Sequence, residues 1–209
     1  YEELGLVGSA AVTSVNRAPF NEATCEIVEE YQPEAVSFHF GLPVQPLVDR
    51  VKATGCSILA SATTVEEARW LEDRGCDAVI AQGYEAGGHR GMFLADDIMT
   101  QVGTMALVPQ IVDALNIPVI AAGGIADGRG LAAAFALGAA GAQIGTAYLF
   151  TLESLISDLH RRALGAAGDD STAVTNLFSG KPARGLMNRI MREKGPMSDL
   201  VPAYPTAGN

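Results

Sequence analysis

Residues 119–150 read "VIAAGGIADGRGLAAAFALGAAGAQIGTAYLF" and give the clearest indication of the fold. Two short apolar runs, which start at residues 119 and 141, each end in glycine before a helix or a turn. Neither run alternates apolar with polar residues, which is typical of strands in a parallel sheet that helices cover on both faces. The stretch therefore predicts two consecutive β/α units.

The same rhythm extends towards the N-terminus. Similar apolar runs start at residues 35, 57 and 78, and three of the four spacings among the five runs are 21 or 22 residues. The other spacing, from 78 to 119, is about double. Helix signals lie between the runs: residues 64–67 form a capping box, residues 104–116 carry apolar side chains on one face, and residues 21–32 predict a first helix.

Ligand-binding residue types follow all five runs. They are His39 and Gly41, Ser61 and Thr63, Gln82 and Gly83, Gly123 and Gly124, and Gly145 and Thr146. A barrel builds its active site from the C-terminal ends of many strands, whereas a doubly wound sheet has one crevice. We therefore predict a TIM-type (β/α)8 barrel, with about five of its eight β/α units present, in a single domain over residues 1–209.

Composition excludes several classes of partner. The net charge is −10, and the basic residues form no stripe that could follow a phosphate backbone, so we expect no nucleic-acid partner. The three cysteines (Cys25, Cys56 and Cys76) lack short metal-binding spacing, so we predict core residues in a reducing compartment and no metal site. No export signal opens the chain, and we predict a cytoplasmic protein. The sequence is compatible with a monomer or an oligomer.

One apolar run, residues 131–150, has the length of a membrane span. Gly138, Gly141, Gln143 and Gly145 interrupt it. We therefore predict a buried helix followed by a buried strand, and no membrane association.

The two glycine-rich strand ends predict a phosphate site. Glycine lets backbone N–H groups approach an anion closely, and a helix N-terminus adds a favourable partial charge. Barrels commonly build such a site from their last two β/α loops. The segment "GGIADG" from residue 123 matches neither the Walker pattern nor G-x-G-x-x-G, so a flavin or a sugar phosphate fits better than a nucleoside triphosphate or a dinucleotide.

A second glycine-rich segment, "GYEAGGHRG" at residues 83–91, lies in the one long interval between strands. Long loops in compact barrels are usually functional. We predict that His89 is a general base, because an imidazole near neutrality can take a proton from carbon. His39 is expected to line the pocket or orient a partner, and Glu85 to meet a helix terminus or the cofactor. His160 and the basic residues 179–194 are interpreted as surface features, the latter as a helix with its preceding loop.

Four segments closely resemble nitronate monooxygenase, formerly called 2-nitropropane dioxygenase. They are "VSFHFGLP" from residue 36, "AQGYEAGGHRG" from 81, the stretch from 118 to 149 and "TNLFSGKPARGLMNR" from 175. The resemblance runs through nearly all 209 residues. It implies an FMN-dependent barrel that oxidises alkyl nitronates, including propionate 3-nitronate, with O2 to a carbonyl compound and nitrite.

The resemblance also implies roles for particular residues. His89 is similar to the catalytic histidine of the family, which deprotonates neutral nitroalkanes. The residues implied to contact FMN are Gln82, Gly87, Gly124, Gln143, Ile144, Gly145 and Thr146. Family members begin with a strand and a "PM" turn at the flavin, and this part, about three β/α units, is absent here together with a short C-terminal segment. We therefore predict that the sequence is a piece of a longer protein.

Other functions share parts of this pattern. A flavin-dependent enoyl-ACP reductase shares "EAGGH" and "AAGGIADGRG", although "SFHFGLP" and "FSGKPARGL" favour the nitronate enzyme. An NADH:quinone reductase is a third candidate. A flavin-binding or phosphate-binding module without catalysis is the alternative outside enzymes.

Overall fold

The computed structural model describes residues 19–202 and residue 204. The helices are α1 (Glu22–Tyr31), α2 (Gln45–Ala53), α3 (Val65–Asp73), α4 (Thr104–Ala114), α5 (Gly128–Ala136), α6 (Asp158–Gly165) and α7 (Arg189–Lys194), with short 3-10 helices at Ile98–Thr100 and Thr146–Phe150. The strands are β1 (Ala35–Phe38), β2 (Ser57–Ala62), β3 (Ala78–Gln82), β4 (Gly88–His89), β5 (Val119–Ala122), β6 (Gly141–Gln143), β7 (Thr172–Thr175) and β8 (Ala183–Leu186).

Five strands form one parallel sheet in the order β1-β2-β3-β5-β6. These are the five strands that the sequence predicts, and each lies beside its neighbour in the chain, apart from β4, which belongs to another sheet. A doubly wound sheet would reverse this order at a switch point, whereas a barrel adds each strand to the same side of the previous one. The order therefore confirms the predicted barrel topology over five β/α units.

The core lies between this sheet and helices α2 to α4. Ile58 of β2 and Val79 of β3 are fully buried, as are Leu71 of α3 and Ile111 of α4. All three cysteines are buried and free, as predicted, and burial raises the pKa of the Cys76 thiol to about 12.

Side-chain caps set where several helices begin. The side chain of Thr64 accepts a hydrogen bond from Glu67 N at 3.1 Å, which confirms half of the predicted capping box at α3. The Glu67 carboxylate departs from the motif, because it turns into the core and accepts hydrogen bonds from the Thr63 backbone N–H and hydroxyl, both at 2.7 Å.

Burial of residues 131–150 was predicted incorrectly. The order of helix and strand is as predicted, but α5 fully buries only Ala134, and Phe135 is 51% exposed. The reason is the position of β6 at the edge of the described sheet, where α5 packs on β6 and no further strand pairs beyond it. Within residues 19–202 no helix combines the length and the apolar character needed to cross a bilayer.

A second, antiparallel sheet joins β4, β8 and β7 in that order. The sequence predicts a loop around β4, and a loop followed by a helix over residues 179–194. The structure instead pairs Gly88 with Arg184 and His89 with Ala183, and only Arg189–Lys194 is helical. This sheet connects the "GYEAGGHRG" segment to residues that lie about 100 positions later in the chain. Arg184 adds a side-chain contact to the same segment, because it donates a hydrogen bond to Tyr84 O at 3.1 Å.

Candidate active site

The parallel register brings the predicted site residues to one edge of the sheet. Gln82, the last residue of β3, lies beside Ala122 of β5, which lies beside Gln143 of β6. The segments that follow these three strands therefore start next to one another. They carry most of the residues proposed to bind a phosphate group or to catalyse.

The glycine-rich ends of β5 and β6 form one side of the site. Gly123 and Gly124 have φ values of 118° and 68°, which favour glycine strongly over other residues. A Cβ placed on Gly145 would meet no protein atom within 4 Å, so open space adjoins the backbone there. A Cβ on Gly87 would lie 3.2 Å from Thr146 Oγ1, which shows that the loop after β3 and the loop after β6 meet.

These residues fit the phosphate of a flavin mononucleotide. Gly145 and Thr146 are exposed, and the 3-10 helix that starts at Thr146 has no side-chain cap on its first N–H groups. Gln143 is exposed at the end of β6, and Ile144 packs partly against the core. The backbone at Gly145 is thus open where a phosphate would need close approach.

The N-terminus of α5 contributes less than the sequence predicts. Asp127 caps it and accepts hydrogen bonds from Arg129 N at 2.9 Å and Gly130 N at 3.3 Å. Hydrogen bonds from Arg129 and these backbone groups lower the pKa of Asp127, so its carboxylate stays charged. The expected attraction of an anion to this helix end is therefore offset by a resident negative charge.

The side chain of Gln82 hydrogen-bonds to the backbone of the loop that carries His89. Its side-chain amide donates to His89 O at 3.0 Å and its side-chain oxygen accepts from Gly91 N at 2.7 Å. The side chain is buried, so both bonds are shielded from water. Gln82 therefore fixes the backbone on both sides of Arg90.

Arg90 is fully buried directly behind His89. Its guanidinium donates to Gly83 O at 2.5 Å, to Gln82 O at 2.8 Å and to Gln101 Oε1 at 2.8 Å. Burial lowers the pKa of Arg90 to about 10, which still leaves it charged at neutral pH. No sequence pattern indicates this role for Arg90, because arginine is usually exposed.

The polar network continues from Arg90 to a buried carboxylate. The Gln101 side chain donates to Thr63 Oγ1 at 3.1 Å, and Thr63 donates to Glu67. Glu67 also accepts from the backbone N–H groups of Phe93 at 2.6 Å and Leu94 at 3.0 Å. The network thereby connects the end of β2, helix α3 and the long loop between β4 and α4.

Glu85 meets a helix terminus, one of the two roles predicted for it. Its carboxylate accepts from Thr104 N at 2.8 Å and from the Thr104 hydroxyl at 2.9 Å, so it caps α4. A negative charge at a helix N-terminus is stabilising. Glu85 therefore anchors the middle of the loop to α4.

Close packing within the protein explains two glycines of the loop. A Cβ on Gly83 would lie 2.4 Å from the backbone of Thr104, and one on Gly91 would lie 2.8 Å from the His39 ring. Both glycines therefore make room for neighbouring parts of the protein itself.

His89 is half-buried at the end of β4, and its Nε2 lies 2.7 Å from Ser179 Oγ. Ser179 Oγ also lies within hydrogen-bond distance of Lys181 O, at 3.2 Å. The hydroxyl can thus donate to an unprotonated Nε2, or accept from a protonated one while donating to Lys181 O. His89 therefore has a partner suited to both of its protonation states.

Aromatic rings surround His89. Its ring centre lies 6.0 Å from that of Phe40 and 5.8 Å from that of Tyr204. Phe40 adopts a φ of 68°, which is unusual for a non-glycine residue and holds the ring beside the site. Phe40 and Tyr204 were not predicted, because no local pattern distinguishes a pocket aromatic from a core one.

His39 lies on the same side of the molecule as His89. Its ring packs on Gly91. Neighbouring protein atoms remove part of its hydration, and this lowers the pKa of His39, as do the positive charges of Lys181 and Arg90. The structure therefore brings the predicted residues His39 and His89 together, with His160 distant on the exposed helix α6.

Residues 19–202 contain no group of three His, Cys, Asp or Glu side chains that could hold a metal ion. The groups that lie around His89 include the Ser179 hydroxyl, the Lys181 backbone oxygen and the Phe40 and Tyr204 rings.

Comparison with known proteins gives consistent relatives. A sequence model for nitronate monooxygenase matches residues 7–208. The chain is 45% identical over 196 residues to a probable nitronate monooxygenase of Staphylococcus saprophyticus, covering 93% of this chain and 55% of that protein. It is 46% identical to a probable nitronate monooxygenase of Bacillus subtilis, covering 86% of this chain and 52% of that protein. The chain thus spans about half the length of these relatives.

Solved structures show the same likeness. A nitroalkane oxidase from Streptomyces ansochromogenes superposes with a TM-score of 0.82 at 42% identity, over 90% of this chain and 54% of that one. FabK from Thermotoga maritima superposes with a TM-score of 0.73 at 36% identity, over 85% of this chain and 54% of that one. Both likenesses cover most of the chain, so the fold is shared with these proteins.

Proposed function

The chain belongs to the nitronate monooxygenase family, and on that basis we propose that the full-length protein is an FMN-dependent enzyme that oxidises alkyl nitronates. O2 is the proposed oxidant, and the products are a carbonyl compound and nitrite. Propionate 3-nitronate is a proposed substrate, and neutral nitroalkanes are proposed to enter after loss of a proton. The observation that carries the proposal is the position of His89 beside the rings of Phe40 and Tyr204 and two residues after Gly87, which adjoins Thr146 of the glycine-rich end of β6.

FMN is the proposed cofactor. Bound FMN would supply the electron acceptor for the nitronate. Gly124, Gly145 and Thr146 are proposed to hold its phosphate through backbone N–H groups and one hydroxyl, with Gln143 and Ile144 completing the second segment. Gly87 is proposed to contact the flavin from the opposite loop, since it adjoins Thr146.

Gln82 is proposed to act on the flavin mainly through the loop that it holds. Both ends of its amide are engaged by the loop backbone, at His89 O and Gly91 N. This support keeps His89 and Gly87 at fixed positions relative to the strand end.

His89 is proposed to remove the proton from the carbon next to the nitro group. The Ser179 hydroxyl can hydrogen-bond to Nε2 before and after this step, so it holds the ring in place while the proton is transferred. A preformed nitronate has already lost this proton and does not need the base. His39 is proposed to line the same pocket from the end of β1.

The replacement His89→Asn tests the proposal. Asparagine keeps polarity and approximate size but cannot accept a proton at neutral pH. We expect activity on a neutral nitroalkane to fall by about 10² to 10⁴, the range typical of a lost general base. Activity on the preformed nitronate should fall much less. Both are measured as initial rates of O2 uptake by the full-length holoenzyme.

His160→Asn is the matched control, because it makes the same change on the exposed helix α6. The control should leave both rates unchanged. Equal losses on both substrates in His89→Asn, with flavin retained, would show that His89 does not act mainly as a base. Loss of flavin from this variant would assign it a structural role instead.

A further inference from the structure

Lys181 places a cation on the ring cluster beside His89. Its Nζ lies 3.9 Å from the ring centre of Phe40 and 5.6 Å from that of Tyr204. The rings of Phe40, Tyr204 and His89 lie between 5.7 and 6.0 Å from one another. The Lys181 ammonium group and the His89 imidazole therefore both adjoin the rings of Phe40 and Tyr204.

This cation has no anionic partner within the described part of the chain. No carboxylate lies within ion-pair distance of Lys181, whereas Lys52 pairs with Asp77 at 3.4 Å. Partial burial lowers the pKa of Lys181, and no negative charge opposes this effect. A partly desolvated ammonium with three N–H donors gains most from a ligand that supplies a negative charge.

Among the described residues, His39 is a further group near Lys181 that can carry a positive charge. His39 lies within range of the charges of Lys181, Arg90 and His89. The whole chain, in contrast, carries a net charge of −10. A local basic site on an acidic protein concentrates anions where the overall field would repel them.

We propose that Lys181 binds the anionic group of the substrate, and that Phe40 and Tyr204 form the walls of this subsite. This proposal rests on the proposed oxidation of nitronates. The anionic group is either the nitronate itself or a carboxylate elsewhere on the substrate, since both present paired oxygens to an ammonium group. A lysine that only stabilises the aromatic cluster would show no preference for anions.

Nitrate binding tests the subsite without turnover. Nitrate is a planar anion with N–O bonds like those of a nitronate, and its Kd is measured by isothermal titration calorimetry on the full-length holoenzyme. We expect Lys181→Met to raise the Kd roughly tenfold or more, the loss typical of a hydrogen bond to a charged group. Lys181→Arg should retain most of the binding, because it restores the charge.

Lys194→Met is the control, because Lys194 is exposed on α7 and its loss changes the net charge equally. Its Kd should match that of the wild type. A wild type that does not bind nitrate, or a Lys181→Met Kd within twofold of the Lys194→Met value, would overturn the subsite. Neither result depends on whether the enzyme oxidises nitronates.

Steady-state kinetics then identify the recognised group. Lys181→Met should raise the KM of propyl nitronate and of propionate 3-nitronate alike if the ammonium binds the nitronate, and only that of the second substrate if it binds the carboxylate. The KM of neutral 1-nitropropane should stay within twofold. An equal rise for the neutral substrate would contradict anion binding. Absence of any nitronate oxidation by the wild type would instead contradict the proposed function.

Discussion

Arg90 directs a buried positive charge at backbone oxygen atoms beside the proposed base. It contacts the carbonyl group of Gln82, the last residue of β3, that of Gly83 directly after it, and the Gln101 side chain. A buried charge is tolerated when such hydrogen bonds replace its hydration. Arg90 therefore determines where the loop leaves the sheet. Because His89 directly precedes Arg90 in the chain, the position of His89 depends on these contacts.

We expect Arg90→Met to lower the free energy of unfolding by at least about 2 kcal/mol, because it removes three hydrogen bonds between a charged group and buried acceptors. Arg90→Lys should lower the free energy of unfolding by a smaller amount, because its ammonium group keeps the charge but cannot reach all three acceptors. The control is Arg129→Met, which removes an arginine side chain that is 93% exposed, and it should stay within about 0.5 kcal/mol of the wild type. Urea denaturation of the full-length protein measures all three, and equal values for Arg90→Met and Arg129→Met would contradict the account.

Single residues differ in how far their sequence context predicts them. Glycine-rich loops at strand ends are distinctive, and they single out His89, whose role stays a prediction, and Glu85, whose contact with a helix terminus the structure confirms. Arg90 and Glu67 could not be singled out, because only folding brings Arg90 to Gln101 and Glu67 to the backbone of Phe93. Residue type alone places both on the surface.

Elements show a similar division. The five parallel strands are continuous apolar runs, and their length and spacing identify them without tertiary information. β4, β7 and β8 have two to four residues each and no apolar periodicity. Their pairing depends on contacts between residues 88–89 and 183–184, which are distant in the chain. The sequence could therefore predict the large sheet but not the small one that carries His89.

The two loops after β5 and β6 are the elements proposed to hold phosphate. We expect Gly145→Val to reduce the FMN content of the purified full-length protein with little loss of stability, because its side chain would occupy the open space beside the backbone. Gly141→Val at the start of β6 also meets no atom within 4 Å and serves as the control with normal FMN content. FMN is measured by absorbance after heat release, and thermal unfolding reports stability.

Normal FMN content in soluble Gly145→Val would argue against a phosphate at this loop. Gly124 is a weaker choice for this test, because its φ of 68° would strain any other residue. A Cβ there would also lie 3.3 Å from Glu85 Cβ. Loss of FMN from a Gly124 variant could then reflect altered folding.

At the scale of the whole molecule, strand order is the most informative feature. Five parallel strands follow one another without reversal, so their C-terminal ends and the loops that follow lie along one edge. The chain spans about half the length of its relatives, and the faces of β6 and α5 are correspondingly less buried than their apolar sequences predict. Sequence reasoning predicts burial from composition, whereas burial in the structure depends on which neighbours are present.

We propose that the site at this edge of the sheet oxidises nitronates with O2. The most direct measurement supplies the full-length protein with propyl nitronate in one reaction and with NADH and a crotonyl thioester in another. We predict O2 uptake and nitrite release in the first reaction and no NADH consumption in the second. Consumption of NADH with the thioester, and none of O2 with the nitronate, would contradict the account and favour an enoyl-ACP reductase.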